Sequence, residues 1–208
     1  MRALVLGMAI LVGASSCGRN EAAGDPPPTS TGSDDYAAEQ ARFDAERRPE
    51  TVVEALHIGP GARVADIGAG TGLFTVHLAR AVGPTGKVVA TDIDGHVLDL
   101  LAQRLKTFGL GDRVERRVVA ADAPGLEPGA YDAILLAEVD HFFPDRVAWL
   151  RAAQAALKPG GRIVITNRIY HRANSTAAAR QAGLVLESES TPVPTHYIAV
   201  FVAGDSKK

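Results

Sequence analysis

The 208-residue chain has one cysteine, Cys17, and so cannot build the internal disulfide framework that staples many small secreted domains. It also lacks a surplus of either charge. Its 22 lysines and arginines face 24 aspartates and glutamates, and the basic residues are scattered, so the electrostatic footprint of a nucleic-acid binder is missing. No nucleic-acid partner is expected. No apolar run reaches the ~20 residues of a membrane-spanning helix, and no segment repeats. The length suits one domain with an appendage, since domains run to about 100–200 residues. Apolar residues at 46% and charged residues at 22% are ordinary globular usage, enough for a packed core.

The first residues read differently from the rest. Met1-Arg2, the apolar stretch Ala3 to Ala14 and then Ser15-Ser16-Cys17 show the basic start, apolar centre and small residues of an export signal. The position of Cys17 resembles the signal of bacterial lipoproteins, in which the cysteine is acylated and becomes the new N-terminus. Ala14 departs from the leucine that most such signals carry three residues earlier; an ordinary cleaved signal or a retained hydrophobic start stays open. Residues 1–17 are thus expected to be a lipoprotein-type signal with lipidation at Cys17, giving an exported, membrane-anchored protein of the bacterial envelope that faces the periplasm. Residues 18–35, with Pro26, Pro27 and Pro28 in succession, read as a flexible tether. The folded domain is placed at 36–203 and a short tail at 204–208.

From there the pattern alternates. A polar helix-prone stretch (36–48) and a helix after Pro49 precede an apolar strand at 63–67. A helix at 73–82, a strand at 87–91, a helix with Val97, Leu101, Leu105 and Phe108 on one stripe, and strands at 114–119 and 131–137 follow. A helix from Asp145 to Leu157 ends at Lys158-Pro159-Gly160-Gly161, before a strand at 162–166. Strands alternating with helices predict a parallel sheet covered on both faces. After a short helix near 176–182, the runs 184–189 and 196–203 are joined by too few residues for a crossover, so they must be antiparallel.

The chemistry-bearing residues fall at strand ends. Gly68, Gly70 and Gly72 lie between the first strand and the helix after it, where glycines let backbone approach a ligand and a helix N-terminus supplies oriented N–H groups. The spacing is G-x-G-x-G. A dinucleotide fingerprint needs glycine at 73, where Leu73 stands, so a nicotinamide-dependent dehydrogenase is disfavoured. Asp66 precedes the loop in an apolar strand, a costly place for a carboxylate without a cation or donors. Asp92 ends the second strand and Asp122 follows the third, at the sheet edge where open α/β folds bind ligands. Each also reads as a cap or turn residue when taken alone.

The runs VADIGAGTGLFTVHLARAVGPTGKVVATDID, YDAILLAEVDHFF and ALKPGGRIVI, with the closing strand pair, resemble the class I S-adenosylmethionine-dependent methyltransferases over about residues 49–203. The resemblance implies a Rossmann-like α/β fold: a seven-stranded, mostly parallel sheet with helices on both faces and an antiparallel last strand. It implies S-adenosyl-L-methionine as cofactor, with Asp66, Gly68, Ala69, Gly70 and Gly72 at the loop and methionine part, Asp92 at the ribose, Ile93 at the adenine face, and Asp122 with Ala123 at the adenine edge. A general base, where the acceptor needs one, is sought after the fourth strand among Glu138, Asp140 and His141, with His141 favoured by its ordinary pKa. His57, His77, His96, His171 and His196 are assigned to helices, loops or an edge strand, with surface or packing roles and no metal spacing. Tyr36, Phe43, Phe142, Phe143 and Tyr170 either line an acceptor pocket or pack. The expected activity is methyl transfer to an unknown small-molecule or envelope acceptor by a membrane-tethered monomer; the competing expectation is a non-catalytic lipoprotein that keeps the fold and binds a ligand or partner.

Overall fold

The computed structural model describes residues 33–204; the expected signal, Cys17 and nearly all of the tether lie outside the described residues. Helices α1 (Ser33–Arg47) and α2 (Pro49–Leu56) lead into β1 (Arg63–Ile67), α3 (Leu73–Ala81), β2 (Lys87–Asp92) and α4 (Gly95–Thr107). Then come β3 (Val114–Val118), β4 (Tyr131–Ala137), α5 (Arg146–Ala156), β5 (Leu157–Arg168), α6 (Arg172–Gln181), β6 (Leu184–Val193) and β7 (His196–Ala203). Helix α1 begins at Ser33, inside the stretch that composition alone assigns to the tether.

The strands form one seven-stranded sheet in the order β3-β2-β1-β4-β5-β7-β6. The pairs β1–β2, β1–β4, β2–β3 and β4–β5 are parallel, while β7 runs antiparallel to both neighbours. This is the predicted α/β architecture with its reversed last strand. One placement differs: β7 inserts between β5 and β6, so His196 stands on an interior strand and not on an edge.

Successive strand residues face opposite ways, and the core splits accordingly. Val64, Val88, Leu135 and Val164 pack with Val52 and Leu56 of α2, Val76 of α3 and Leu101 of α4. Ala65, Ile134, Ile163 and Phe201 pack on the other face with Trp149 and Leu150 of α5 and Ala179 of α6. Helices thus cover both faces, as burial of a parallel sheet requires. Asp94 and Asp145 cap α4 and α5, accepting from the backbone N–H of His96 at 2.8 Å and of Ala148 at 2.9 Å.

Strand β5 begins earlier than its apolar pattern suggests. Tyr131 pairs with Leu157 and Ala133 with Arg162, so Lys158-Pro159-Gly160-Gly161 bulges out within the strand. The Pro-Gly-Gly that stops α5 is absorbed as an irregularity of β5.

Candidate active site

The C-terminal ends of β1, β2 and β4 open on a cavity of about 530 Å³. One wall is apolar and close to β2 and β3: Ile93, Val119, Ala120, Ala121 and Ala123. The opposite wall is Glu138, Val139, Phe142, Phe143 and Trp149, with Ile67, Gly68, Thr91 and Asp92 at the strand ends between.

The loop from β1 to α3 is shaped by its glycines. Gly68 has φ +64°, and a Cβ there would lie 2.5 Å from Cγ2 of Val139; Gly72, with φ +89° at the N-cap of α3, would meet Leu101 at 2.7 Å. Positive φ and close approach together make any other residue strained at both positions. Asp92 completes the loop from across the cleft. Its carboxylate accepts from the N–H groups of Gly70 at 2.9 Å and Asp94 at 3.1 Å, while the Ala69 N–H donates to the Thr91 carbonyl at 2.9 Å. Each carboxylate oxygen keeps a further acceptor site, free for a ligand hydroxyl. Thr91 also lines the cavity, and its buried hydroxyl has no partner.

The expected site residues divide. Gly68, Asp92, Ile93 and Ala123 line the cavity, with Ile93 65% exposed. Ala69, Gly70 and Gly72 shape the loop without lining it. Asp122 is exposed in the turn after β3 and Ala123, not Asp122, reaches the cavity wall. Asp66 is 1% exposed and sits behind the loop, accepting from the Thr75 hydroxyl at 2.6 Å. Burial pushes its carboxyl up to about 7, against the Thr75 hydrogen bond and with help from the negative charge of Asp92.

His141 and Glu138 follow β4 with different surroundings. Asn167 accepts from the Arg168 N–H on Oδ1 (2.7 Å) and donates from Nδ2 to buried Asp140 (2.7 Å), which fixes its amide orientation. The same Nδ2 lies 3.0 Å from His141 Nδ1, so that nitrogen accepts and the neutral ring carries its proton on Nε2. The ring stacks on His171 at 4.2 Å between centroids and meets Phe142 at 4.0 Å in a tilted arrangement. Burial and the neighbouring His171 lower its pKa, with Asp140 opposing them. His141 therefore presents an N–H and no free lone pair, and it does not line the cavity.

Glu138 does line it, in left-handed backbone at φ +53°. Its carboxylate accepts from Arg47 of α1; Arg168 lies 3.7 Å away and His196 3.3 Å. Burial alone would raise its pKa, but the charge and hydrogen bond of Arg47, with His196 and Arg168, hold it below the usual carboxylate range. The sequence singled out Glu138 and, with only a surface or packing role, His196; Arg47 and Arg168, up to 91 positions from Glu138, carry no signal. Of the aromatic candidates, Phe142 and Phe143 reach the cavity, Phe43 packs edge-on against Phe74 at 4.9 Å, Tyr36 is buried under Arg104, and Tyr170 is exposed.

Helix α1 is held against the loop from outside. Fully buried Arg104 donates from Nε to the Thr71 carbonyl at 2.8 Å and pairs with Glu39, while Gln40 donates to the Leu73 carbonyl at 3.0 Å. Among the described residues no cluster of metal-binding side chains occurs, and no helix is long and apolar enough to cross a membrane.

An apolar wall for a flat base, a carboxylate with spare acceptor sites at the β2 end and a glycine loop under the cleft suit a nucleoside-containing ligand. Residues 65–163, just under half of the chain, match a family described as a methyltransferase domain. The ubiquinone/menaquinone biosynthesis C-methyltransferase of Hahella chejuensis is 36% identical over 113 residues, 54% of this chain and 45% of that protein. The chain spans under half the length of the curated relatives it matches. A methyltransferase from Aquifex aeolicus superposes with TM-score 0.72 at 18% identity, covering 82% of this chain and 98% of that one. The geranyl diphosphate C-methyltransferase of Streptomyces coelicolor A3(2), solved with S-adenosyl-L-homocysteine, gives TM-score 0.63 at 17% identity over 85% of each chain.

Proposed function

We propose that this chain is a class I S-adenosylmethionine-dependent methyltransferase that transfers a methyl group to a small-molecule or envelope acceptor while tethered to a membrane; the methyltransferase-domain match over residues 65–163 and the shared fold support this reading. The observation that carries this reading is the cleft itself, where the glycine loop and Asp92 face an apolar wall at the C-terminal edge of the sheet.

S-adenosylmethionine, the cofactor of the matched family, supplies a sulfonium-bound methyl that is already electrophilic. Gly68 and the loop backbone would hold it from below, Asp92 would accept from ribose hydroxyls, and Ile93 with Ala121 and Ala123 would cover the base. The chain's own contribution is then alignment and exclusion of water, effects worth up to ~7–11 kcal/mol in well-oriented reactions. None of the three candidates after β4 is set up as a strong base: His141 has no free lone pair, Arg47 holds Glu138 below the usual carboxylate range so that it is a weak base, and buried Asp140 already accepts from Asn167 and Ser175. That supports an acceptor that is nucleophilic without help from a protein base.

Tethering through Cys17 is part of the proposal and rests on the N-terminal sequence. Export would remove the domain from cytosolic cofactor, which keeps a non-catalytic, ligand-binding lipoprotein as the second reading. Methyl-labelled S-adenosylmethionine incubated with the full chain and an envelope extract separates the two. Label should move to an extract component with wild type and not with Asp92→Ala. Cofactor binding without any transfer would sink turnover and leave the binding module.

A further inference from the structure

Glu138 is a non-glycine residue in left-handed backbone, a conformation that persists only where the surroundings over-determine it. Those surroundings are two arginines and a histidine from three other elements: Arg47 at the end of α1, Arg168 at the end of β5 and His196 at the start of β7. One carboxylate does not satisfy them. Arg47 Nε is buried without a hydrogen-bond partner, and His196 Nε2, on a side chain only 8% exposed, has Glu138 no closer than 3.3 Å. Arg168 is 55% exposed, and its closest nitrogen stays 3.7 Å from Glu138. Thr195 Oγ1 lies 2.8 Å from His196 Nδ1, and a ring that accepts there carries its proton on Nε2, toward Glu138. Two guanidinium charges against one carboxylate leave the cluster net positive. Buried donors left unmade are costly, and charge-assisted bonds to an oxyanion are the strongest way to satisfy them.

We propose that Arg47, Arg168 and His196 form an oxyanion site on the cavity wall, that Glu138 fills it as an internal stand-in, and that the methyl acceptor carries a carboxylate or phosphate which displaces Glu138. Of the four, Glu138 alone lines the cavity, so displacing its carboxylate would open the donors behind it to a molecule bound there. The inference rests on the methyl-transfer reading. The same donors could instead serve the carboxylate of the cofactor's amino-acid end, so the test separates these sources.

Inorganic phosphate is titrated calorimetrically into the full chain, with and without saturating S-adenosyl-L-homocysteine. Glu138→Gln should bind phosphate at least ~10-fold more tightly than wild type, with or without the homocysteine ligand. Glu138→Gly, which also relieves the left-handed backbone, should gain likewise and guards against a fault peculiar to the Gln variant. Adding Arg168→Gln or His196→Ala to Glu138→Gln should abolish the gain. No gain on removing Glu138, a gain that survives both second substitutions, or phosphate displaced by S-adenosyl-L-homocysteine would each overturn the proposal, the last by assigning the donors to the cofactor. Wild type that binds no S-adenosyl-L-homocysteine refutes the methyltransferase reading instead.

Discussion

Replacing Gly68 by alanine tests how the glycine loop is held against β4. Two costs add at this position. The left-handed backbone charges any L-residue roughly 1–2 kcal/mol, and the new Cβ would stand 2.5 Å from Cγ2 and 2.9 Å from Cβ of Val139. Overpacking of that kind costs about 1–3 kcal/mol. Gly70 is the internal control, because its φ of +53° carries the same backbone strain while nothing lies within 4 Å of its Cβ position. The difference between Gly68→Ala and Gly70→Ala therefore isolates the clash. In a domain of this size that difference should lower Tm by roughly 2–12 °C more for Gly68→Ala, read by calorimetry or circular dichroism. Val139→Ala introduced beside Gly68→Ala should return part of it, as a double-mutant cycle, because the 2.5 Å contact with Cγ2 goes while the 2.9 Å contact with Cβ stays. Equal melting of the two single variants, or a double variant that adds the two losses, would refute the reasoning.

Asp66 has a carboxyl raised to about 7 by burial, well above an ordinary aspartate near 3.8. The folded state therefore binds its proton more tightly than the unfolded state, so its contribution is fully present below about pH 4 and is lost as pH rises through 7. That loss amounts to about 4 kcal/mol, and urea midpoints for Asp66→Asn should be flatter than wild type between pH 4.5 and 8; parallel profiles would contradict it. Arg104→Ala should cost about 2–4 kcal/mol, below the figure for a fully buried pair because Glu39 is 38% exposed, and should speed proteolysis within α1. Asp92→Ala removes the acceptor for the Gly70 and Asp94 N–H groups, so it should loosen the loop in hydrogen exchange even without ligand.

The fold was legible because its signals are local. Apolar strands such as Val64-Ala65 and Ile134-Leu135-Leu136 alternate with helical stripes, and the short link between residues 190 and 195 forces the reversed final pair. The insertion of β7 between β5 and β6 was not legible, since strand order depends on which apolar edge is nearest after α6 has packed. Nor was the early start of β5, because Pro159-Gly160-Gly161 reads as a stop and the pairing of Leu157 with Tyr131 is long-range. At the site, glycine spacing and strand-end position pointed to Gly68 and Asp92, the family resemblance added Ile93 and Ala123, and all four line one cleft. They could not show that Asp66 spends its carboxylate on Thr75, that Asp122 is not among the residues lining the cavity, or that His141 already accepts from Asn167. Arg47, Arg168 and His196 carry no motif and meet Glu138 only once α1, β5 and β7 are assembled.

The central claim is that the cleft between the glycine loop and Asp92 takes S-adenosylmethionine. Calorimetric titration of S-adenosyl-L-homocysteine into the full chain tests it most directly, with Asp92→Ala and Gly68→Ala alongside. A single-site binding heat for wild type that falls sharply in both variants is the predicted result. No heat for folded wild type, or binding that Asp92→Ala leaves unchanged, would contradict it.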